Sequence, residues 1–389
     1  MMTYFLLALL LGVSAAMTVA TNWLALRPWR RAADAHWTER ARLLWPARVA
    51  SSVATLLAPA IVVLTYVRWP VWGPVSILGG AVAALAGAIS GNYPLAKEIY
   101  PDLTLGHWTR SMGLAWTYRL VIGGLFGAAA AIMPERAGWM MLAVVAGLLI
   151  CYVPLLLGGV VPILVRVGAL NKPSDCLQRI VAETATRLQI SVSATWEFSS
   201  VLANACAMPF RGELLFSTRL LEVLNDEEVA TVCAHEMGHL SESRRAKFAR
   251  LVLGLVCVPM VFAVAAYKNW GFPGVLAIGL WILVGLKLMK AMSRRLETRA
   301  DAIAHDDQSE DGLYARALET IYRVNQVPAV IGKRRDTHPD LYDRMTAAGV
   351  TPDYPRPRAV PRVNPIVVAY IAGLAAAILA NIIEVNWSR

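Results

Sequence analysis

Charged residues are scarce in this chain of 389 residues, since Asp, Glu, Lys and Arg together make up 16% of it. An ordinary soluble domain has roughly 25%. A chain with so little charge must turn much of its surface toward something other than water, which excludes an ordinary soluble protein. Hydrophobic residues make up 57%. The composition therefore predicts an integral membrane protein that has the lipid bilayer as a partner.

Paired cysteines and nucleotide-binding motifs are also missing. The five cysteines include no CxxC pair, which argues against a disulfide scaffold and suits a reducing compartment. The sequence has no Walker motif, no Rossmann fingerprint and no basic-aromatic sheet pattern, so nothing indicates a nucleotide, haem or nucleic-acid site. The net charge of +10 comes largely from Arg residues that cluster between apolar runs, which is typical of membrane topology.

About eight apolar runs are long enough to cross a bilayer, which takes about 20 mostly apolar residues. They cover approximately residues 4–26, 49–67, 71–90, 114–133, 139–165, 251–267, 271–289 and 365–383. These runs divide the chain into five segments. We expect an N-terminal membrane region (1–165), a first polar segment (166–250), a two-span hairpin (251–289), a second polar segment (290–363) and a C-terminal span (364–389).

The orientation follows from the loop between the first two runs, because cytoplasmic loops retain Lys and Arg. That loop contains Arg27, Arg30, Arg31, Arg40, Arg42 and Arg48. If it is cytoplasmic, the alternation of spans places both polar segments in the cytoplasm as well. We expect a protein of the bacterial cytoplasmic (inner) membrane. The alternative, a signal peptide cleaved near residues 13–16, would put this loop outside, against the charge bias.

The first polar segment has the pattern of a small α+β unit. Residues 174–188 place apolar side chains at helical spacing, and residues 195–199, 204–208 and 213–218 read as short strands. Asn225 or Asp226 can then cap a helix with acidic residues in its first turn, and this helix should continue through Leu240.

A metal-binding motif falls in the middle of that helix. His235 and His239 are four residues apart and share a face, so both imidazoles can hold one ion. Glu236 lies beside the place of a bound water, where it can take a proton and pass it to a leaving amine. Gly238 leaves room for close approach of a neighbouring element. The alternative interpretation is a surface helix whose histidines face water.

A third ligand is expected beyond the hairpin, because two spans return the chain to the side that it left. Glu297, Asp301 and His305 lie on one helical face there, and the residues alone permit any of them. Two histidines plus a carboxylate is a well-attested zinc set with an open position for water. A carboxylate that does not bind the metal would suit a ligating imidazole as a hydrogen-bond acceptor.

Four blocks between residues 174 and 345 resemble the membrane metallopeptidases of family M48, which include CAAX prenyl endopeptidases and HtpX-like proteases. The blocks are NACA with ELLF (204–207 and 213–216), HEMGH (235–239), ETRAD (297–301) and THPDLYDR (337–344). The resemblance implies one Zn²⁺ on His235, His239 and Glu297. It also implies that Glu236 is general base and acid, and that Asp301 orients a ligand.

The same resemblance assigns residues to the substrate side. His338 would face the developing oxyanion, and Arg344 would position His338 or bind a substrate carbonyl. Asn204 and Ala205 would lie on an edge strand that pairs with extended substrate backbone. The alternative for His338 is a turn residue that precedes Pro339.

These patterns together predict an α-helical integral membrane protein of about eight spans with an inserted small α+β, zincin-like catalytic unit. Its expected activity is endopeptidase cleavage of membrane or membrane-associated proteins, with protein quality control as the leading function. One alternative is a specific processing protease of the CAAX prenyl endopeptidase type for lipidated peptides. The other is a zinc-binding membrane sensor without turnover, for which Glu236 would be unnecessary.

Overall fold

The structure is a computed structural model that describes residues 2–68, 74–332, 339–360 and 366–369. It is mostly helical, with three short strands. The helices are α1 (Met2–Arg31), α2 (Trp37–Arg68), α3 (Pro74–Ser90), α4 (Tyr93–Ile99), α5 (Leu105–Ile132), α6 (Trp139–Leu156), α7 (Val160–Arg166), α8 (Asp175–Leu188), α9 (Thr218–Val223), α10 (Asp226–Leu240), α11 (Arg244–Gly254), α12 (Ala263–Asp307), α13 (Leu313–Val324) and α14 (Leu341–Ala347). Contacts divide the chain into two compact units, 1–112 with 326–332 and 354–389, and 113–325 with 333–353.

Within the described residues, four helical stretches are long and apolar enough to cross a membrane. They are Leu7–Arg31, Leu105–Ile132, Trp139–Leu156 and Arg244–Asp307. The predicted second and third spans coincide with α2 and α3. The predicted span at 365–383 lies outside the described residues apart from 366–369. The total of about eight spans therefore stays a prediction, as do the five predicted segment boundaries.

Small residues and amides hold the first unit together. A side-chain carbon added at Gly87 of α3, or at Gly91 just after it, would collide with the backbone of α1, so these two helices pack with almost no space between them. Asn92 then joins three helices: its amide accepts a bond from Asn22 of α1 (2.9 Å) and donates one to Thr55 of α2 (2.7 Å). Hydrogen bonding between buried amides and hydroxyls thus fixes the register of this bundle.

Two predicted spans contain breaks that the apolar pattern did not reveal. The run 139–165 is two helices, because α6 ends at Leu156 and the chain turns at Gly158, whose φ of 85° favours glycine. The run 251–267 contains a 3₁₀ turn at Val258–Phe262 with a proline near its start. Hydropathy is insensitive to both breaks, since each lies among apolar side chains.

Residues Arg244–Asp307 form a helical hairpin in which α11 and the 3₁₀ turn lead out and most of α12 leads back. Gly271 has φ 61° and ψ −150°, a backbone conformation that favours glycine. This conformation interrupts α12 and forms the turn of the hairpin. Beyond the turn, Gly285 lies directly against Val256 of the outgoing arm. The chain therefore turns back on itself at Gly271, while the crossing of a membrane by both arms stays a prediction.

The three strands lie close to their expected positions: β1 (Ala194–Phe198), β2 (Ala205–Met208) and β3 (Glu213–Ser217). They form a mixed sheet of order β1-β3-β2, with β1 parallel and β2 antiparallel to a fully buried β3. One face of the sheet packs on α8 and α10 through a core that includes Leu177, Leu214, Phe216, Leu220 and Met237. This core fixes α10 beside the edge strand β2.

Candidate active site

The helix α10 carries the metal-binding motif and has a well-defined start. The side chain of Asn225 accepts a bond from the backbone N–H of Glu228 (2.9 Å), and the Glu228 carboxylate accepts one from the N–H of Asn225 (3.0 Å). This capping box stabilises the first turn by about 1 kcal/mol. Because Met237 is completely buried in the core, the opposite face of α10 presents the imidazoles of the motif.

Three potential ligands meet where α10 faces the returning arm of the hairpin. Nε2 of His235 lies 3.5 Å from one carboxylate oxygen of Glu297, and Nε2 of His239 lies 3.5 Å from the other. All three ligand atoms lie within 4.8 Å of one another. Two imidazole nitrogens and one carboxylate oxygen at this separation fit the donor set of a catalytic zinc site with an open position.

The structure also separates the three rivals for the third ligand. Glu297 faces both histidines, whereas Asp301 lies behind His235, with an oxygen 3.1 Å from Nδ1. His305 is two turns further along α12, where its Nδ1 contacts the amide of Gln308 at 3.0 Å. The residues that the sequence left as alternatives thus take three different positions on one helix.

Tyr314 and Asp301 contact the Nδ1 atom of His235, and Arg344 binds to both of them. The hydroxyl of Tyr314 lies 2.7 Å from Nδ1 and donates to Asp301 (2.8 Å). Arg344 donates to the second oxygen of Asp301 (2.9 Å) and to the Tyr314 hydroxyl (2.8 Å). With acceptors at Nδ1, the neutral imidazole keeps its proton there and can present Nε2 to a metal.

The Nδ1 atom of His239 has a separate partner. One oxygen of Glu242 lies 3.2 Å from it, and the same carboxylate accepts two bonds from the guanidinium of Arg250 on α11. The Glu242 side chain is almost completely buried, with 1% of its surface exposed. Both histidines therefore present Nε2 to Glu297 and Nδ1 to a second carboxylate, the arrangement that orients metal-binding imidazoles.

The charges of these groups follow from their pairing. Burial alone lowers the pKa of His235, but hydrogen bonds to Asp301 and Glu297 outweigh burial and raise that pKa to about 9. Burial raises the pKa of Asp301, but the bond with His235 and the charge of Arg344 outweigh it and bring the pKa to about 2. The pKa of Glu242 is likewise lowered, because His239 and Arg250 outweigh its burial. Both carboxylates are ionised at neutral pH.

Glu236 and Gly238 complete the motif on α10. Glu236 is buried beside His235, as the predicted proton carrier requires. A side-chain carbon at Gly238 would lie 2.9 Å from Cα of Ala300 on α12, closer than such atoms approach. Glycine at this position therefore allows α10 and α12 to approach closely enough for Glu297 to reach the histidines, as the sequence indicated.

Of the residues predicted on the substrate side, all but one lie in the part of the chain that the structure describes. Asn204 precedes β2 and Ala205 is its first residue, so both lie at the edge of the sheet that is next to α10. His338 lies outside the described residues, and its role at an oxyanion stays a prediction. Arg344 is buried and bound to Asp301 and Tyr314, so the structure gives its guanidinium a position behind His235.

Sequence reasoning missed Tyr314, Glu242 and Arg250. Glu242 is three residues after His239, and this spacing could have identified it, since residues three apart on a helix are neighbours. Tyr314 and Arg250 carry no comparable local signal. They reach the site through the packing of α13 and α11, which the sequence does not specify.

Residues 171–350 match the family model described as Peptidase family M48. The chain is also similar to the metalloprotease LoiP of Escherichia coli (strain K12), with 28% identity over 160 residues. That similarity covers 38% of this chain and 59% of the relative, so the chain matches about three-fifths of the length of this curated relative. The family match includes the two histidines of α10 and the carboxylate of α12, where the geometry gathers three potential ligands.

Proposed function

We propose that this chain, which belongs to peptidase family M48 through residues 171–350, is a zinc-dependent endopeptidase of a membrane. The observation that carries the proposal is the convergence of His235, His239 and Glu297 on one point, with Glu236 buried beside them. Each imidazole is held by its own carboxylate. A zinc-binding sensor would need the ligands but not Glu236, so catalysis is the better explanation.

The chain's own residues have distinct tasks in peptide hydrolysis. A zinc ion held by His235, His239 and Glu297 would supply Lewis acidity, which brings the pKa of water to about 7 and polarises a carbonyl. Glu236 takes the proton of the attacking water and delivers it to the nitrogen of the leaving amine. His338 is assigned to the developing oxyanion by the resemblance, where one donor contributes about 10²–10³ in rate.

The edge strand β2 supports a peptide substrate. One side of β2 pairs with β3, and residues of β2 also lie next to α10. An extended peptide can add to such an edge through backbone hydrogen bonds, as in other cases of strand addition. A substrate bound from Asn204 and Ala205 onward would run past the imidazoles of α10. We therefore assign β2 to binding of the substrate backbone. The zinc site would act on the scissile carbonyl.

A location in the membrane is supported by the outer faces of the long helices. Large apolar side chains there are exposed, including Leu142 and Ile150 of α6 and Leu280 and Val284 of α12. Such surfaces are unfavourable in water and suit lipid. The distribution of Arg favours a cytoplasmic active site. Substrates would then be membrane or membrane-associated proteins, with quality control ahead of processing of lipidated peptides.

The proposal predicts that Glu236→Gln abolishes proteolysis while zinc stays bound, because this carboxylate moves protons and does not hold the metal. The measurement is cleavage of an unfolded protein substrate, together with metal analysis of the purified protein. Glu227→Gln is the matched control, since Glu227 lies exposed in the first turn of the same helix. It should leave both quantities unchanged.

Two results would overturn the proposal. Activity of Glu236→Gln within about tenfold of wild type would contradict the mechanism, since general acid–base catalysis contributes about 10²–10⁴. A wild-type protein that binds zinc but cleaves no protein or prenylated peptide would favour the sensor. Comparison of membrane proteomes between wild type and Glu236→Gln then separates the substrate classes: unrelated misfolded proteins should accumulate, rather than one lipidated precursor.

A further inference from the structure

The two arms of the helical hairpin are connected to the zinc-binding residues in different ways, one directly and one through an intermediate side chain. The returning arm carries Glu297 itself. The outgoing arm carries Arg250 on α11, which does not touch a ligand and instead bonds to Glu242. Glu242 follows the end of α10 and contacts His239. A chain of three side chains thus leads from the outgoing arm to an imidazole.

The carboxylate of Glu242 is placed between a cation and an imidazole. Its Oε1 lies 3.2 Å from Nδ1 of His239 and 2.5 Å from Nη2 of Arg250, while Oε2 lies 3.3 Å from Nε of Arg250. The Glu242 side chain is 1% exposed and that of Arg250 is 35% exposed. A buried carboxylate without its cation is strongly unfavourable, so Glu242 stays against His239 only while Arg250 is in place.

We propose that Glu242 and Arg250 are positioning residues that make metal binding by His239 depend on docking of the outgoing arm of the hairpin. Without the arm, Glu242 loses its cation and moves toward water, and the Nδ1 proton of His239 loses its acceptor. The imidazole is then free to rotate away from the position that faces Glu297. This inference rests on the proposed zinc function, and it adds a route by which the hairpin controls the site.

A second buried pair provides a comparison inside the same unit. Arg211 donates two bonds to Glu213, whose side chain is 7% exposed, and within the part of the chain that the structure describes no histidine contacts that pair. Glu213 contacts Trp196 instead. Loss of either carboxylate should lower stability. Only loss of the Glu242 carboxylate should also weaken metal binding. Glu213→Gln is therefore the matched control.

The test uses full-length protein in detergent and measures zinc affinity by competition with a chromophoric chelator. Glu242→Ala and Arg250→Gln should each weaken zinc binding by about 10–100-fold, the usual cost of losing a group behind a ligand. Arg250→Lys, which keeps the cation, should recover most of the affinity. Glu213→Gln should bind zinc as tightly as wild type, even if it unfolds at a lower temperature.

A charge exchange separates positioning from simple stabilisation. The double variant Glu242→Arg with Arg250→Glu restores an ion pair between the two positions, but it turns donors toward the Nδ1 proton of His239. Folding stability should recover while zinc affinity stays low. Recovery of zinc affinity in this variant would overturn the inference, and so would wild-type affinity in Glu242→Ala. Failure of wild-type protein to bind zinc would instead contradict the proposed function.

Discussion

His235 and His239 lie one turn apart on α10, yet the groups behind them come from different parts of the chain. Asp301, Tyr314 and Arg344 stand behind His235, and all three are largely buried in the catalytic unit. Behind His239 stand Glu242 and the partly exposed Arg250 of the hairpin. One imidazole therefore depends on the packing of α12, α13 and α14, and the other depends on α11.

The difference has an energetic meaning. The cluster behind His235 has several hydrogen bonds among buried groups, so removal of one member leaves others unpaired and is costly. The pair behind His239 depends on one partly exposed cation from the hairpin, and the buried Glu242 carboxylate loses its partner if that cation moves away. The His235 side is the rigid part of the site, whereas the His239 side is the part that conformational change of the hairpin can disturb.

Removal of Glu297 should have the largest effect, because its two oxygens face both histidines. Glu297→Ala should purify without zinc and without proteolytic activity, as measured by metal analysis and substrate cleavage. His305→Ala is the control on the same helix and should behave like wild type. If His305→Ala lost its metal while Glu297→Ala kept it, the assignment of ligands on α12 would be wrong.

Changes on the His235 side should have an intermediate effect and should be graded. Asp301→Asn removes the charge that His235 and Arg344 share, and it should weaken zinc binding by about 10–100-fold. Tyr314→Phe leaves that charge in place and should cost less. Both values come from the same chelator competition. Equal losses in the two variants would show that the hydroxyl matters as much as the carboxylate, contrary to our ordering.

The pH dependence of zinc affinity sharpens the comparison without any substitution. In metal-free protein the pKa of His235 is raised to about 9, so this imidazole is protonated at neutral pH. Zinc binds the neutral form, and binding must therefore release a proton. Apparent affinity should rise about tenfold per pH unit from pH 7 toward 9 and then level off. A flat profile across that range would contradict the raised pKa.

The residues of the zinc motif could be predicted from sequence because their chemistry depends on local spacing. The four-residue interval between His235 and His239 places two imidazoles on one face of any helix. Asn225, which acidic residues follow, marks where that helix begins. The short strands were also predictable to within a residue or so, because β-rich segments are bounded by Pro209 and Gly212. These signals all act within one turn or one strand.

Long-range packing set the limits of prediction. Whether Glu297 or Asp301 lies between the two histidines depends on how α10 approaches α12. That approach cannot be predicted from the residues on one helical face. Arg344 was expected to position His338 or to bind a substrate carbonyl, and the sequence did not indicate its pairing with Asp301, which a buried guanidinium needs. Tyr314 was not foreseen, since no spacing links α13 to α10. The breaks at Gly158 and Pro259 were hidden by uniform hydropathy.

The turn at Gly271 has a consequence for the order in which the three potential ligands come together during synthesis. The ribosome completes both histidines before it makes the hairpin, and it makes Glu297 after the turn. A nascent chain that has not yet placed both arms therefore has two ligands of the three, which is too few for a tight catalytic site. A protein built in this way completes its three-residue site only after the hairpin has folded.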